Sequence, residues 1–179
     1  MDTVSLCQSL GIGCLINAGT PRKISNRILA AMPHGVVNVH PGILPEYRGC
    51  SAVEWAIYND SQVGNTAHFM GEGYDTGPII RTEAYEFARD ADYQSIRIHV
   101  YRAGCDLAGR ALSLIQDTGI TPRDATMQDE TKASYWDPIP AEKMADQPRD
   151  EPSPDCSRRR GHLRPIGSSG HSGAELRRP

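Results

Sequence analysis

Strand-like and helix-like hydrophobic patterns alternate along residues 1–145, and this alternation constrains the fold more than any other feature of the sequence. The run Val36–His40 is mostly β-branched and apolar, which is typical of a strand. Pro41 keeps the end of this run extended, because a proline disfavours the α region for the residue before it. Strands that alternate with helices favour a doubly wound sheet. The sequence therefore predicts an α/β fold with a doubly wound, mostly parallel sheet.

The same patterns place the other elements. Residues 14–19 and 66–70 are each typical of a short strand, and residues 24–32 have the apolar spacing of a helix. The strongest helical pattern runs from residue 93 to about residue 116. Its apolar stripe consists of Ile96, Val100, Ala103, Leu107, Ala111 and Leu114.

Composition changes after residue 145. Residues 146–179 hold five Pro, four Gly and five Ser, and they contain no Phe, Tyr or Trp. Such a segment cannot bury enough apolar surface to offset the entropy lost on ordering, so it is predicted to be a disordered tail. Two alternatives stay open: an interaction tail built on the arginines at 158–160, and a stretch that is not native-like sequence.

Charge and cysteine usage limit the partners of the chain. Residues 1–145 carry 12 basic and 17 acidic residues, so nucleic acid is not an expected partner. No run approaches the roughly 20 apolar residues of a membrane span, so no membrane partner is expected. The five cysteines are widely spaced without a C-x-x-C pair, which indicates reduced thiols in a cytoplasmic protein. No metal is expected, because no cluster of ligating residues has the required spacing.

Three polar residues form the candidate reaction site. Asn38 and His40 are two residues apart on a predicted strand, so both side chains point to one face. Asp75 lies in the glycine-rich loop after residues 66–70, and ligands of open α/β sheets bind beyond strand ends. An amide and an imidazole stabilise an oxyanion and a carboxylate accepts a proton, a set that suits acyl transfer. Taken singly, strand-end hydrogen bonding, core burial and turn formation are the alternatives for these residues.

Two stretches resemble a known family. Residues 38–49 read Asn-Val-His-Pro-Gly-Ile-Leu-Pro-Glu-Tyr-Arg-Gly, and residues 75–80 read Asp-Thr-Gly-Pro-Ile-Ile. They resemble the signature of the 10-formyltetrahydrofolate-dependent formyltransferases. The resemblance implies a Rossmann-like core over residues 1–125, a short extension over 126–145 and the tail over 146–179. It also implies that the core is incomplete at its amino end, because few residues precede the first strand.

The resemblance also implies the site residues and the cofactor. Asn38, His40 and Asp75 match the catalytic residues of the family, and 10-formyltetrahydrofolate is the expected formyl donor. Its expected binding residues are Pro21, Arg22, Lys23, Ile24, Ile43, Leu44, Pro45 and Glu72.

The expected acceptor is the amine of a nucleotide-linked amino sugar, such as a dTDP-4-amino-4,6-dideoxyhexose. The segment 135–140, Tyr-Trp-Asp-Pro-Ile-Pro, resembles the extension after the core of amino-sugar formyltransferases. The basic domain typical of the transfer-RNA enzymes is not seen after residue 125. A methionyl-tRNA or glycinamide ribonucleotide formyltransferase and an inactive truncated copy are the alternatives, and a homodimer is one open arrangement.

Overall fold

A computed structural model describes residues 2–20, 23–88 and 90–145. The segment 146–179, predicted to be disordered, lies outside the described residues. The helices are α1 (Thr3–Ser9), α2 (Asn26–Ala31), α3 (Ala52–Tyr58), α4 (Tyr93–Thr118) and α5 (Ala141–Ala145). The strands are β1 (Leu15–Asn17), β2 (Val36–His40), β3 (Arg48–Gly49), β4 (Val63–Phe69), β5 (Ile79–Tyr85) and β6 (Tyr135–Trp136). None of the described helices is long and apolar enough to cross a membrane.

The central sheet has four strands in the order β1-β2-β4-β5. Strands β1 and β2 are parallel, whereas the β2–β4 and β4–β5 pairs are antiparallel. The prediction of an α/β fold is confirmed, and the two antiparallel pairs are where the sheet differs from the mostly parallel arrangement predicted. Strand β5 runs back along β4 because residues 70–78 are fewer than the roughly dozen residues that a parallel crossover requires.

Helix α4 packs across β2, β4 and β5 and covers one face of the sheet. Its buried residues follow the predicted stripe, with Gly104 and Ile115 in place of the half-buried Ala103 and Leu114. Beneath the helix, the buried Asn65 of β4 donates hydrogen bonds to the Val100 carbonyl and to the Tyr85 hydroxyl at 2.7 and 3.0 Å. This satisfied polar contact fixes the height of α4 above the sheet, because a buried amide without partners would be costly.

The segment after α4 returns to the core. Strand β6 pairs in parallel with β3, and Trp136 stacks on Tyr47 and contacts Trp55. The Trp136 indole donates to the Glu46 carbonyl at 2.9 Å. The extension is therefore packed onto the domain, and it passes beside the loop that carries Asp75.

Candidate functional site

A cavity of about 200 Å³ lies beside β1, β2 and the loop that follows β4. Strand pairing explains why polar side chains meet there. Asn17 of β1 is the register partner of Asn38 in β2, and Asn38 is the partner of His68 in β4. Residues in register across a sheet share a face, so these three side chains form one row. Asp75 closes the row from the loop, and all four residues line the cavity.

Hydrogen bonds fix the orientation of the Asn38 amide. His68 Nδ1 lies 2.8 Å from the Phe69 carbonyl, which only accepts, so His68 carries its proton on Nδ1 and presents a lone pair at Nε2. Asn38 Nδ2 donates to that lone pair at 3.1 Å. On the other side, Asn38 Oδ1 accepts from Asn17 Nδ2 at 3.0 Å. One amide hydrogen of Asn38 therefore has no acceptor among the described residues and is available to a ligand in the cavity.

His68 stays neutral in this environment. Burial lowers the pKa of His68 from 6.5 to about 4, against the opposing effects of the Phe69 carbonyl and the Asp75 carboxylate. A neutral imidazole keeps its Nε2 lone pair and goes on accepting from Asn38 at neutral pH. His68 is therefore a positioning residue for the amide, and it is not an acid at neutral pH.

This burial predicts a pH dependence of stability. His68 in the unfolded chain binds a proton near pH 6.5, whereas the folded chain resists protonation down to about pH 4. The free energy of unfolding should therefore fall as the pH drops through that window, by roughly 3 kcal/mol from this residue. Urea unfolding at about pH 7 and about pH 4 should show a smaller loss for His68→Gln than for the parent. An equal loss of unfolding free energy in His68→Gln and in the parent would contradict the lowered pKa of His68.

His40 and Asp75 form a second, deeper pair. His40 is buried, and its Nε2–H donates to the Tyr47 carbonyl at 2.6 Å. That bond leaves His40 Nδ1 facing Asp75 Oδ1 at 3.6 Å, and the same oxygen lies 3.7 Å from His68 Nε2. His40 is not among the described residues that line the cavity, whereas Asp75, which it faces, is one of them.

The predicted cofactor residues divide into three groups. Lys23 and Ile24 line the cavity. Pro21 and Arg22 lie outside the described residues. The other four are not among the described residues on the cavity wall: half-buried Ile43, buried Leu44 and Pro45, which share a cis peptide bond, and exposed Glu72. The assignment of all eight residues to the binding site of the formyl donor stays a prediction.

The positioning roles of two residues escaped the sequence analysis. Asn17 ends a strand, which is a signal for a ligand site in α/β sheets, but its use depends on the register with Asn38. The importance of His68 depends on the antiparallel pairing of β4 with β2, which hydrophobic periodicity does not report. Within the described ranges, no group of three or more His, Cys, Asp or Glu side chains is placed to hold a metal ion.

Comparison with known proteins shows which proteins this chain is similar to. The formyl transferase family model matches residues 2–111. A methionyl-tRNA formyltransferase from Trichlorobacter lovleyi is 34% identical over 109 residues, which are 60% of this chain and 34% of that protein. Glycinamide ribonucleotide transformylase 1 from Symbiobacterium toebii superposes with a TM-score of 0.60 at 26% identity, over 70% of this chain and 61% of that one.

The same fold occurs in a formyltransferase that was solved with a nucleotide-linked sugar. The formyltransferase PseJ from Anoxybacillus kamchatkensis, solved with UDP-4,6-dideoxy-4-formamido-L-AltNAc and tetrahydrofolate, superposes with a TM-score of 0.62 at 22% identity. The match covers 70% of this chain and 64% of PseJ. The first curated relatives are longer than the matched region, and the chain spans 34% to 48% of their lengths.

Proposed function

This chain belongs to the formyl transferase family, and from that premise we propose that it transfers a formyl group from 10-formyltetrahydrofolate to a primary amine. The observation that carries the proposal is the fixed Asn38 amide, with one N–H left for a ligand beside the Asp75 carboxylate. A preorganised amide donor next to a carboxylate is what the tetrahedral intermediate of formyl transfer requires.

Asn38, Asp75 and His40 each have a step in this reaction. The amine attacks the formyl carbon, and Asn38 Nδ2–H donates to the oxygen that becomes negative. Asp75 Oδ1 accepts the proton that leaves the attacking nitrogen, and the facing His40 Nδ1 shares it. When the bond between the formyl carbon and N10 of the donor breaks, the Asp75–His40 pair returns that proton to N10. The amine therefore loses one proton and N10 gains one, so the reaction needs no other proton donor or acceptor than Asp75 and His40.

The cavity is the right size for the reacting groups. Pockets that enclose a whole drug-sized ligand measure roughly 300–1,000 Å³. At about 200 Å³, this cavity holds the reacting end of the donor and the amine of the acceptor, and the remainder of both lies outside it. Ile24 on its wall offers an apolar surface and Lys23 offers an ammonium group to the part of the donor that enters the cavity.

For the acceptor we favour a nucleotide-linked amino sugar, such as a dTDP-4-amino-4,6-dideoxyhexose. Tyr74 lines the cavity and is 63% exposed, so its ring offers a flat apolar face to a sugar. Lys23 Nζ lies 5.8 Å from the centre of that ring and supplies a cation near the same place. The fold shared with PseJ, which was solved with a UDP-linked formamido sugar, agrees with this choice. The acidic balance of residues 1–145 makes a nucleic-acid acceptor less suitable.

Methionyl-tRNA is the second candidate acceptor. The observation that favours it is the sequence similarity, since the relative from Trichlorobacter lovleyi is named a methionyl-tRNA formyltransferase.

An acceptor competition distinguishes the candidates. The chain is incubated with 10-formyltetrahydrofolate and equal concentrations of nucleotide-linked 3-amino and 4-amino sugars, glycinamide ribonucleotide and methionyl-tRNA. We expect mass spectrometry to detect the formyl adduct first on a 4-amino sugar. An adduct that forms first on methionyl-tRNA would replace the amino sugar by the second candidate. A chain that formylates none of them would contradict the proposed function.

A further inference from the structure

We propose that Gln128, which lies beyond the residues matched by the family model, is a positioning residue that holds Asp75 in its reactive place. The inference rests on the proposed function, because it gives Asp75 the role of proton acceptor. Gln128 is buried, and its Nε2 donates to the carbonyl of Asp75 at 2.8 Å and to the carbonyl of Gly77 at 2.7 Å. Both amide hydrogens of one side chain thus fasten the loop on either side of Thr76.

Arg48 fixes the orientation of Gln128. The Arg48 guanidinium donates from Nε and Nη2 to Gln128 Oε1 at 3.1 and 2.8 Å. It also forms a two-point ion pair with Glu130, at 2.9 Å from Nη1 and 2.7 Å from Nη2. The hydrogen bonds to Glu130 raise the pKa of Arg48, and Arg48 lowers the pKa of the Glu130 carboxyl. With its oxygen held by a permanent cation, Gln128 must present its N–H groups to the two carbonyls.

The Asp75 loop has a second contact beside this clamp. Asp75 has a φ of 54°, in the left-handed region that is unfavourable for most residues with a side chain and that aspartate adopts more readily than most. The amide of Gly49 also holds this residue by donating to Asp75 Oδ2 at 2.9 Å. Gly49 itself is positioned by the pairing of β3 with β6. The segment that contains Gln128 and β6 therefore holds Asp75 at two places. Gln128 binds the Asp75 backbone directly, and β6 positions the Gly49 amide that binds the Asp75 carboxylate.

The Gly49 amide reports the position of Asp75 without any substrate. Its hydrogen bond ends on the Asp75 carboxylate, whereas the neighbouring amides of Arg48 and Cys50 donate to the carbonyls of Ser134 and Trp136. A loop released by loss of the clamp should expose the Gly49 amide to exchange and leave its two neighbours protected.

The test uses Gln128→Glu, which keeps the length of the side chain and the acceptor for Arg48 but loses both N–H donors. We expect its kcat for formyl transfer to fall roughly 10²-fold, the cost of a misplaced catalytic group. The Gly49 amide should exchange at least about tenfold faster, as expected of a lost local hydrogen bond. Gln116→Glu, the same change on the exposed face of α4, is the control and should alter neither quantity. Gln128→Met repeats the test without an added charge.

The outcomes separate this inference from the proposed function. An unchanged Gly49 exchange rate in folded Gln128→Glu would overturn the inference, and so would faster exchange with an unchanged kcat. Equal loosening of the Arg48 and Cys50 amides, or loss of the fold in both Gln128 variants, would overturn it in favour of a structural role. A parent chain that transfers no formyl group would contradict the proposed function, and the exchange comparison would still decide whether Gln128 holds the loop.

Discussion

Replacing Asn38 by Ala is expected to lower kcat for formyl transfer by a factor of about 10²–10³. The substitution removes the Asn38 N–H that is left for a ligand in the cavity, and the rest of the cavity wall is unchanged. Because the hydrogen bond strengthens as the oxygen becomes negative, the loss should appear in kcat far more than in KM. Steady-state kinetics with the preferred acceptor measure both quantities.

The stability of the Asn38→Ala chain serves as its control. The change leaves the buried His68 Nε2 without its donor, which costs about 1–3 kcal/mol, and it also removes the partner of the half-buried Asn17 Nδ2. Thermal unfolding therefore has to confirm that the variant is folded at the assay temperature. Asn59→Ala, at the exposed end of α3, is the matched variant and should keep the parent kcat. Turnover by Asn38→Ala close to that of the parent would remove Asn38 from the mechanism.

Replacing Asp75 by Asn is expected to lower kcat by a factor of about 10²–10⁴, the usual contribution of a positioned proton acceptor. The amide oxygen of the new side chain still accepts from the Gly49 N–H, so the loop keeps its conformation. Its NH₂ group takes the place of Oδ1, where it faces His40 and His68 and accepts no proton. The variant thus tests the carboxylate with little change of shape.

The kinetic readout for Asp75→Asn is a single turnover with saturating donor, which separates the chemical step from substrate binding. Asp117→Asn, the same change at an exposed position of α4, is expected to behave like the parent. A folded Asp75→Asn chain with the parent's single-turnover rate would show that another group accepts the proton.

The sequence predicted the elements whose buried apolar residues recur at regular spacing. The β-branched run of β2 and the long apolar stripe of α4 form the middle of the core, so their patterns survive in the sequence. Strand β5 was missed because the charged Arg81 and Glu83, which pair with each other, interrupt its apolar residues, and these do not alternate cleanly. Helix α1 was missed because it buries only Cys7, which leaves no apolar stripe to detect.

The site was predictable only in part for a related reason. Asn38 and Asp75 were found because the signature residues match a family, and the structure places both on one cavity wall. The order of the groups was not predictable: His68 lies on the wall, whereas His40 faces Asp75 and is not among the described residues that line the cavity. That order depends on the antiparallel register of β4 and on the Tyr47 carbonyl that holds His40. Such long-range contacts have no local signal in a single sequence.

The most direct test of the central claim follows the formyl carbon itself. The chain is given 10-formyltetrahydrofolate labelled with ¹³C at the formyl group, together with a nucleotide-linked 4-amino sugar, and carbon NMR monitors the label. We predict that a new amide signal grows with the parent chain as the donor signal decays, and that Asn38→Ala and Asp75→Asn slow its growth by the factors given above. Two results would contradict the account. One is a label that stays on the donor when the folded parent is given this sugar and each acceptor of the competition experiment. The other is a label that moves equally fast with the parent and both variants.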